Sequence, residues 1–202
     1  MIVRNWMTSN VVTVKKGASI QEALAIMKQT SVRHLPVVEA DGNLIGWVTD
    51  ADLRGVLIAS MLEELTLEDV MIRKPFTATP DMPLEEAAHI ILEKRIGGLP
   101  VLEDRRVVGV ITVVDILSAF INIMGMLSQS SRVDVRVDSV EGPLHEIIRL
   151  IQGRDGEVIS ICHVPSAEEQ KFTYSIRLKK CDLKPVIDDL EKNGIEVVHT
   201  IA

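Results

Sequence analysis

The chain has 202 residues, 47% of them hydrophobic and 25% charged, a balance that builds folded cores and excludes general disorder. Lys and Arg total 22 against 29 Asp and Glu, giving a net charge of −7, and aromatic residues make up only 3%. With no basic block interleaved with aromatics, nucleic acid is not an expected partner. Cys162 and Cys181 form no CxxC pair and no disulfide framework, and the opening MIVRNWMTSN lacks the apolar core of a signal peptide. A reduced, cytoplasmic protein is expected.

In chain order, residues 11–14 read as a short β-branched strand, followed by an amphipathic helix from near Ser19. Ser19 and Glu22 have capping-box spacing, and Ala23, Ile26 and Met27 supply the apolar stripe. Two strands follow at about 35–38 and 44–48, joined by the turn residues Asp41, Gly42 and Asn43. A closing helix starts near Asp50. Thr66 and Asp69 have the spacing to cap a short linking helix.

The pattern then repeats. Residues 71–116 match residues 7–53: Met7 falls on Met71, Thr13 on Thr77, Glu22 on Glu86, and Leu35-Pro36-Val37 on Leu99-Pro100-Val101. One residue is missing before the last segment, where Gly46, Thr49 and Asp52 match Gly109, Thr112 and Asp115. A β-α-β-β-α unit is duplicated, with Pro83 in the first turn of the second copy's helix. Residues 107–131 carry Asp115 as their sole charge, yet they are not a membrane span. Residues 107–112 occupy the slot of a strand, and a helix follows at about 113–127. That helix is apolar around most of its circumference and needs cover, so a homodimer contact is expected there.

After a short polar linker at 128–131, residues 132–137 alternate as a half-exposed strand. A helix at 144–151, strands at 157–164 and 172–178, an Asp182-capped helix to 192 and a strand at 195–201 complete a β-α-β-β-α-β order, the ferredoxin-like arrangement. The fold class is α+β. The expected domains are 1–64 and 65–127 for the two repeats, the linker, and 132–202 for the C-terminal domain. The two cysteines fall at opposite ends of the hairpin if its turn lies at 164–171.

The runs HLPVVEADGNLIGWVTDADL and GLPVLEDRRVVGVITVVDIL, with the Met-x(4)-Val/Phe-Thr opening of each copy, resemble a tandem CBS-domain pair, or Bateman module. Residues 132–202 resemble an ACT domain through element order and Glu141-Gly142-Pro143-Leu144. This combination is similar to the bacterial acetoin-utilisation accessory proteins (AcuB-like).

The sharpest local signal is Gly-h-h-Thr-x-x-Asp at 46–52 and 109–115. As chemistry it admits two readings. Thr and Asp can cap a helix, or the free amides of the helix mouth can hold an anion beside a carboxylate. The resemblance implies the second use, with Asp52 and Asp115 on a ribose diol and Thr49 and Thr112 on phosphate. It also implies that each Thr/Asp faces the opening segment of the other repeat. Asp115 then shares a cleft with Asn10, Val11, Val12 and Arg33, and Asp52 shares one with Lys74, Phe76 and Gly97. Arg33 can hold phosphate bidentately where its counterpart Gly97 cannot, which favours the Asp115 cleft for the more phosphorylated ligand. His34 reads as a structural histidine at a strand end.

The ACT resemblance implies an effector loop around Glu141, Gly142 and Leu144 with Glu157 opposite; a glutamate there would repel an amino-acid carboxylate, so dimerisation is the favoured role. The five histidines have no metal-ligand spacing, no nucleophile elbow or P-loop occurs, and the acid pairs Glu63-Glu64, Glu85-Glu86 and Asp188-Asp189 mark solvated helix faces or first-turn charges. The expected protein is a non-catalytic, metal-free regulator. It would bind AMP, ADP, ATP or S-adenosylmethionine and act on a target protein in acetoin or central carbon metabolism. The alternatives are a ligand-free adaptor that dimerises and binds a metabolic enzyme, and a subunit gating a transporter.

Overall fold

Ser19 opens the first long helix through a complete capping box: its hydroxyl accepts from Glu22 N at 3.1 Å while Glu22 Oε2 accepts from Ser19 N at 2.7 Å. The computed structural model describes residues 1–62, 65–138, 143–164 and 172–202. The chain divides into two compact units, Met1–Leu117 and Ser118–Ala202, each with its own core.

The first unit holds β1 (Val14–Lys15), α1 (Ile20–Thr30), β2 (His34–Val38), β3 (Leu44–Thr49), α2 (Asp50–Leu62) and α3 (Leu67–Val70). It continues with α4 (Leu84–Lys94), β4 (Gly98–Glu103), β5 (Arg106–Thr112) and the start of α5 (Val113–Ile123). Thr66 and Asp69 cap α3 reciprocally, as their spacing requires. Pro83 sits at the N-cap of α4, one position before the first turn expected for it. The two copies carry the same β-bulge, between Val37 and Val38 in one and between Val101 and Leu102 in the other. They turn differently. The first uses Gly42 at φ 86° with Asp41 accepting from Asn43 N; the second, one residue shorter, uses Asp104 and Arg105 at φ 49° and 69° in a tight two-residue hairpin.

The opening strand is shorter than its β-branched residues predict. Only Val14 and Lys15 pair with β2, in parallel, and the second copy keeps a single matching rung, Ala78 with Val101. In that rung Ala78 N donates to the Pro100 carbonyl and Leu102 N donates to the Ala78 carbonyl. The next rung toward the N-terminus would need an N–H from Pro100, or from Pro36 in the first copy, and proline has none. The ladder stops there.

Released from its own sheet, each opening segment pairs with the other copy. Thr8 bridges Val110 through two backbone bonds of 2.9 and 3.0 Å, and Ile72 bridges Trp47 through two of 2.9 and 3.0 Å. Ile2 bridges Pro83, and Thr66 bridges Ser19 in the same relation. This exchange explains two motif positions at once. A Cβ on Gly109 would collide with the Met7 sulfur, and one on Gly46 with the Met71 sulfur. The methionine that opens each repeat packs onto the glycine in the last strand of the other.

The second unit contains β6 (Ser130–Val137), α6 (Pro143–Gln152), β7 (Val158–Val164), β8 (Phe172–Lys179), α7 (Lys184–Lys192) and β9 (Glu196–Ile201). Its antiparallel sheet runs β7-β8-β6-β9, the ferredoxin-like order. Val133, Val135 and Val137 project into a core with Ile147, Ile151, Val186 and Leu190. Three details differ from expectation. Helix α5 ends at Ile123, because Gly125 at φ 67° turns the chain away. The linker read at 128–131 is shorter, since Ser130 and Ser131 belong to β6, and the buried Ser131 hydroxyl bonds both the carbonyl and the N–H of Cys181. Helix α7 begins at Lys184 after Leu183, and Asp182 instead accepts from Lys184 N in a turn just before it. Cys162, on β7, and Cys181, beyond the end of β8, are both free. Among the described residues no helix is long and apolar enough to cross a membrane.

The glycine–methionine contact has a direct test. Gly109→Ala and Gly46→Ala each lose about 1–3 kcal/mol in urea unfolding through overpacking, whereas Gly17→Ala, with nothing within 4 Å of its added carbon, does not lower stability.

Candidate functional site

The two Thr/Asp motifs sit where a strand passes directly into a helix, β3 into α2 and β5 into α5. In the second copy the cap is complete: Asp115 Oδ2 accepts from Thr112 Oγ1 at 2.6 Å and from Thr112 N at 2.8 Å, and Asp115 N approaches Thr112 Oγ1 at 3.4 Å. In the first copy Asp52 Oδ2 accepts from Thr49 Oγ1 at 2.7 Å, and Asp52 N donates to Thr49 Oγ1 at 3.2 Å. Every one of these carboxylate bonds falls on Oδ2. Oδ1 of each aspartate has no hydrogen-bond partner among the described residues. Capping and ligand binding are therefore compatible: one oxygen ties off the helix and the other remains to accept. Each threonine proton is engaged by its own aspartate, so a phosphate would be met first by the backbone amides and cations around it.

The exchanged opening segments turn both motifs into cleft walls. Thr112 and Asp115 line a cavity of about 430 Å³ together with Asn10, Val11, Val12 and Arg33. Thr49 and Asp52 line a second, of about 640 Å³, together with Lys74, Phe76 and Gly97. Both volumes lie in the range of small-molecule sites, about 300–1,000 Å³. The structure thus brings together the residues assigned to each cleft from sequence, from opposite copies in both cases.

Arg33 departs from its expected role. It lines both clefts, as do His34 and Gly97, so it does not favour the Asp115 side. Its guanidinium has no ion pair or hydrogen bond among the described residues. Sequence reading missed Arg95 and Trp47 on the Asp52 cleft. Arg95 stands at φ 53° at the C-cap of α4, the position that Ser31 holds at φ 57° after α1. A basic residue closing a helix was the signal that could have marked it. His34 stacks on Trp47 at 5.6 Å between ring centroids, in the space left by Gly97, where an added Cβ would lie 2.5 Å from His34 Nε2. Burial, reinforced by the Arg33 charge and opposed by Asp52, holds the His34 imidazole below its ordinary pKa.

On the second unit, Glu141 and Gly142 lie outside the described residues. Leu144 packs partly buried against the core, and Glu157 pairs with Lys179 at 2.7 Å. Of the acid pairs, Glu63-Glu64 lies outside the described residues and Glu85-Glu86 occupies the first turn of α4. Asp189 accepts from Arg154 at 2.6 and 2.9 Å, which holds its carboxyl below the usual range. Among the described residues no group of three or more His, Cys, Asp or Glu could hold a metal ion.

Paired β-α-β-β-α repeats with a cleft at each Thr/Asp motif define a tandem-repeat type of module. The chain belongs to the CBS-domain family, whose pattern matches residues 3–59 and 67–122, more than half of its length. A homoserine O-acetyltransferase of Methanohalobium evestigatum is 39% identical over 115 residues, which is 56% of this chain and only 23% of that protein. The chain therefore matches less than a quarter of this relative. The CBS domain-containing protein YhcV of Bacillus subtilis is 34% identical over 115 residues, 56% of this chain and 81% of that one.

Among solved structures, the CBS domain pair of protein MJ0100 in complex with 5′-methylthioadenosine and S-adenosyl-L-methionine is 33% identical with a TM-score of 0.56, covering 59% of this chain and 95% of that one. CBSX2 in complex with AMP is 27% identical with a TM-score of 0.55, covering 60% and 97%. A candidate acetoin utilization protein (AcuB) from Vibrio cholerae is 30% identical with a TM-score of 0.57, covering 62% and 94%.

The half-buried His34 gives the module a pH signature. Its folded-state pKa is depressed, so the unfolded chain binds the extra proton and stability falls as pH drops below about 6.5. Urea midpoints at pH 7.5 and 5.5 show this loss in the native chain and a smaller one in His34→Gln.

Proposed function

We propose that the chain is a non-catalytic regulatory protein whose CBS pair senses an adenosyl ligand. The observation that carries this reading is that Asp52 and Asp115, each with an Oδ1 that has no hydrogen-bond partner among the described residues, stand at helix mouths and line clefts whose other wall comes from the opposite repeat. A ribose diol supplies the donors that Oδ1 of Asp52 or Asp115 lacks, and the cleft cations and helix amides suit a phosphate. Solved relatives at 33% and 27% identity carrying 5′-methylthioadenosine with S-adenosylmethionine, or AMP, support the same ligand class. The enzyme-named relative shares only its CBS segment, which supports binding without catalysis.

Occupancy is read out as a change in how the repeats pack, in a homodimer that uses the exposed side chains Val114, Leu117 and Phe120 of α5. For such a relay the ligand must prefer one arrangement, and a tenfold preference corresponds to about 1.4 kcal/mol. The second unit is assigned to the ACT class by its βαββαβ order, with a dimerising role. The likeness to AcuB supports acetoin utilisation as the setting.

One observation favours a second reading. The Thr–Asp bonds satisfy their own helix ends, which is all that an adaptor with vacant clefts would need.

Calorimetry with AMP, ADP, ATP and S-adenosylmethionine separates the two. The sensor binds at least one of them, and Asp52→Ala or Asp115→Ala weakens binding about tenfold or more through the lost charge-assisted bonds. An adaptor binds none. Light scattering tests the dimer separately: twice the chain mass is expected, and a monomer contradicts it.

A further inference from the structure

The two clefts share a motif but not a charge. Around the Asp52 cleft stand Arg33, Lys74 and Arg95, all exposed and none ion-paired or hydrogen-bonded through its side chain among the described residues. The acids lining it are Asp50 and Asp52, and Asp50 is occupied by Arg54 at 2.7 Å. Around the Asp115 cleft the charged lining residues are Arg33 and Asp115 alone, and Val11, Val12, Val110 and Val114 supply an apolar wall. The asymmetry is built into the repeat. Arg95 holds the slot of Ser31, and Lys74 holds that of Asn10, so the second copy contributes two cations where the first contributes neutral side chains. The Asp52 cleft is also the larger, about 640 against 430 Å³, and offers Trp47 and Phe76 beside the cations. Lys94 lies over the Phe76 ring at 5.5 Å from its centroid, with its charge paired to Glu93.

From this division we infer that the clefts take different members of the adenosyl class: the Asp52 cleft a nucleoside polyphosphate, and the Asp115 cleft a nucleoside with little or no phosphate. The inference rests on the adenosyl reading above and goes beyond it by assigning ligand charge to each cleft. It reverses the preference that Arg33 alone implies from sequence, because Arg33 stands at the junction of both clefts and Lys74 and Arg95 decide between them. Against the two lining carboxylates, Asp50 and Asp52, the cavity gathers three cations whose side chains form no ion pair or hydrogen bond among the described residues, and Asp50 is already bonded to Arg54, so positive charge is left over for an anion. A triphosphate neutralises that charge, and a thioether nucleoside does not.

The test is a titration of the full chain with ATP and with 5′-methylthioadenosine at low and high salt, repeated in Lys74→Ala/Arg95→Ala, Asp52→Ala and Asp115→Ala. Lys74 and Arg95 are exposed, and their side chains form no ion pair or hydrogen bond among the described residues, so the double variant keeps the native thermal midpoint. It is expected to lose ATP affinity about tenfold or more, together with most of its salt dependence, while 5′-methylthioadenosine binds unchanged. Asp115→Ala is expected to weaken 5′-methylthioadenosine and leave ATP in place, and Asp52→Ala the reverse. An unchanged ratio of the two affinities in the double variant, or ATP lost only in Asp115→Ala, overturns the division while leaving adenosyl binding intact. Failure of both probes to bind the native chain overturns the adenosyl reading itself, and this inference with it.

Discussion

A missing hydrogen-bond donor organises this module. Pro36 and Pro100 occupy the same position in the two repeats, each inside a strand and each unable to donate the next rung of the parallel ladder. The opening segment of each repeat consequently keeps one or two rungs with its own sheet and spends its remaining backbone groups on the other repeat. The Met7–Gly109 and Met71–Gly46 contacts then lock the exchange with side-chain packing. Neither repeat is closed without its neighbour, so the pair is the folding unit, and each cleft is necessarily built from both copies.

That construction makes the clefts unequal without disturbing the fold. Residues that face a cleft from the opening segments and helix ends, such as Asn10 against Lys74 and Ser31 against Arg95, carry little packing load and differ between copies. Residues that hold the scaffold, such as the Leu-Pro-Val strands and the capping Thr/Asp pairs, are the same in both. Duplication supplied two clefts on one frame, and divergence at the rim gives them different charge.

Much of this was legible in the sequence, because helix capping, strand alternation and repetition are local signals. Ser19 with Glu22 and Thr66 with Asp69 form the capping boxes their spacing predicts, and the element order of both units follows the periodicity. What escaped was non-local or concerned an absence. Residues 11–13 have strand composition, but their ladder partner lacks an N–H, a constraint written two dozen residues away in Pro36. Asp182 has the composition of a cap, yet Leu183 takes that place with Pro185 next inside the helix. The repeat alignment pairs Arg33 with Gly97 and hides that both residues line both clefts. The division of labour between the two oxygens of each aspartate has no sequence signature at all.

That division is the central claim, and a crystal structure of the full chain grown with AMP examines it most directly. The account predicts a ribose diol within hydrogen-bonding distance of Oδ1 of Asp52 or Asp115, with the corresponding threonine still bonded to Oδ2. A nucleotide seated away from both carboxylates, or an aspartate that must abandon its helix cap to reach the sugar, would contradict it.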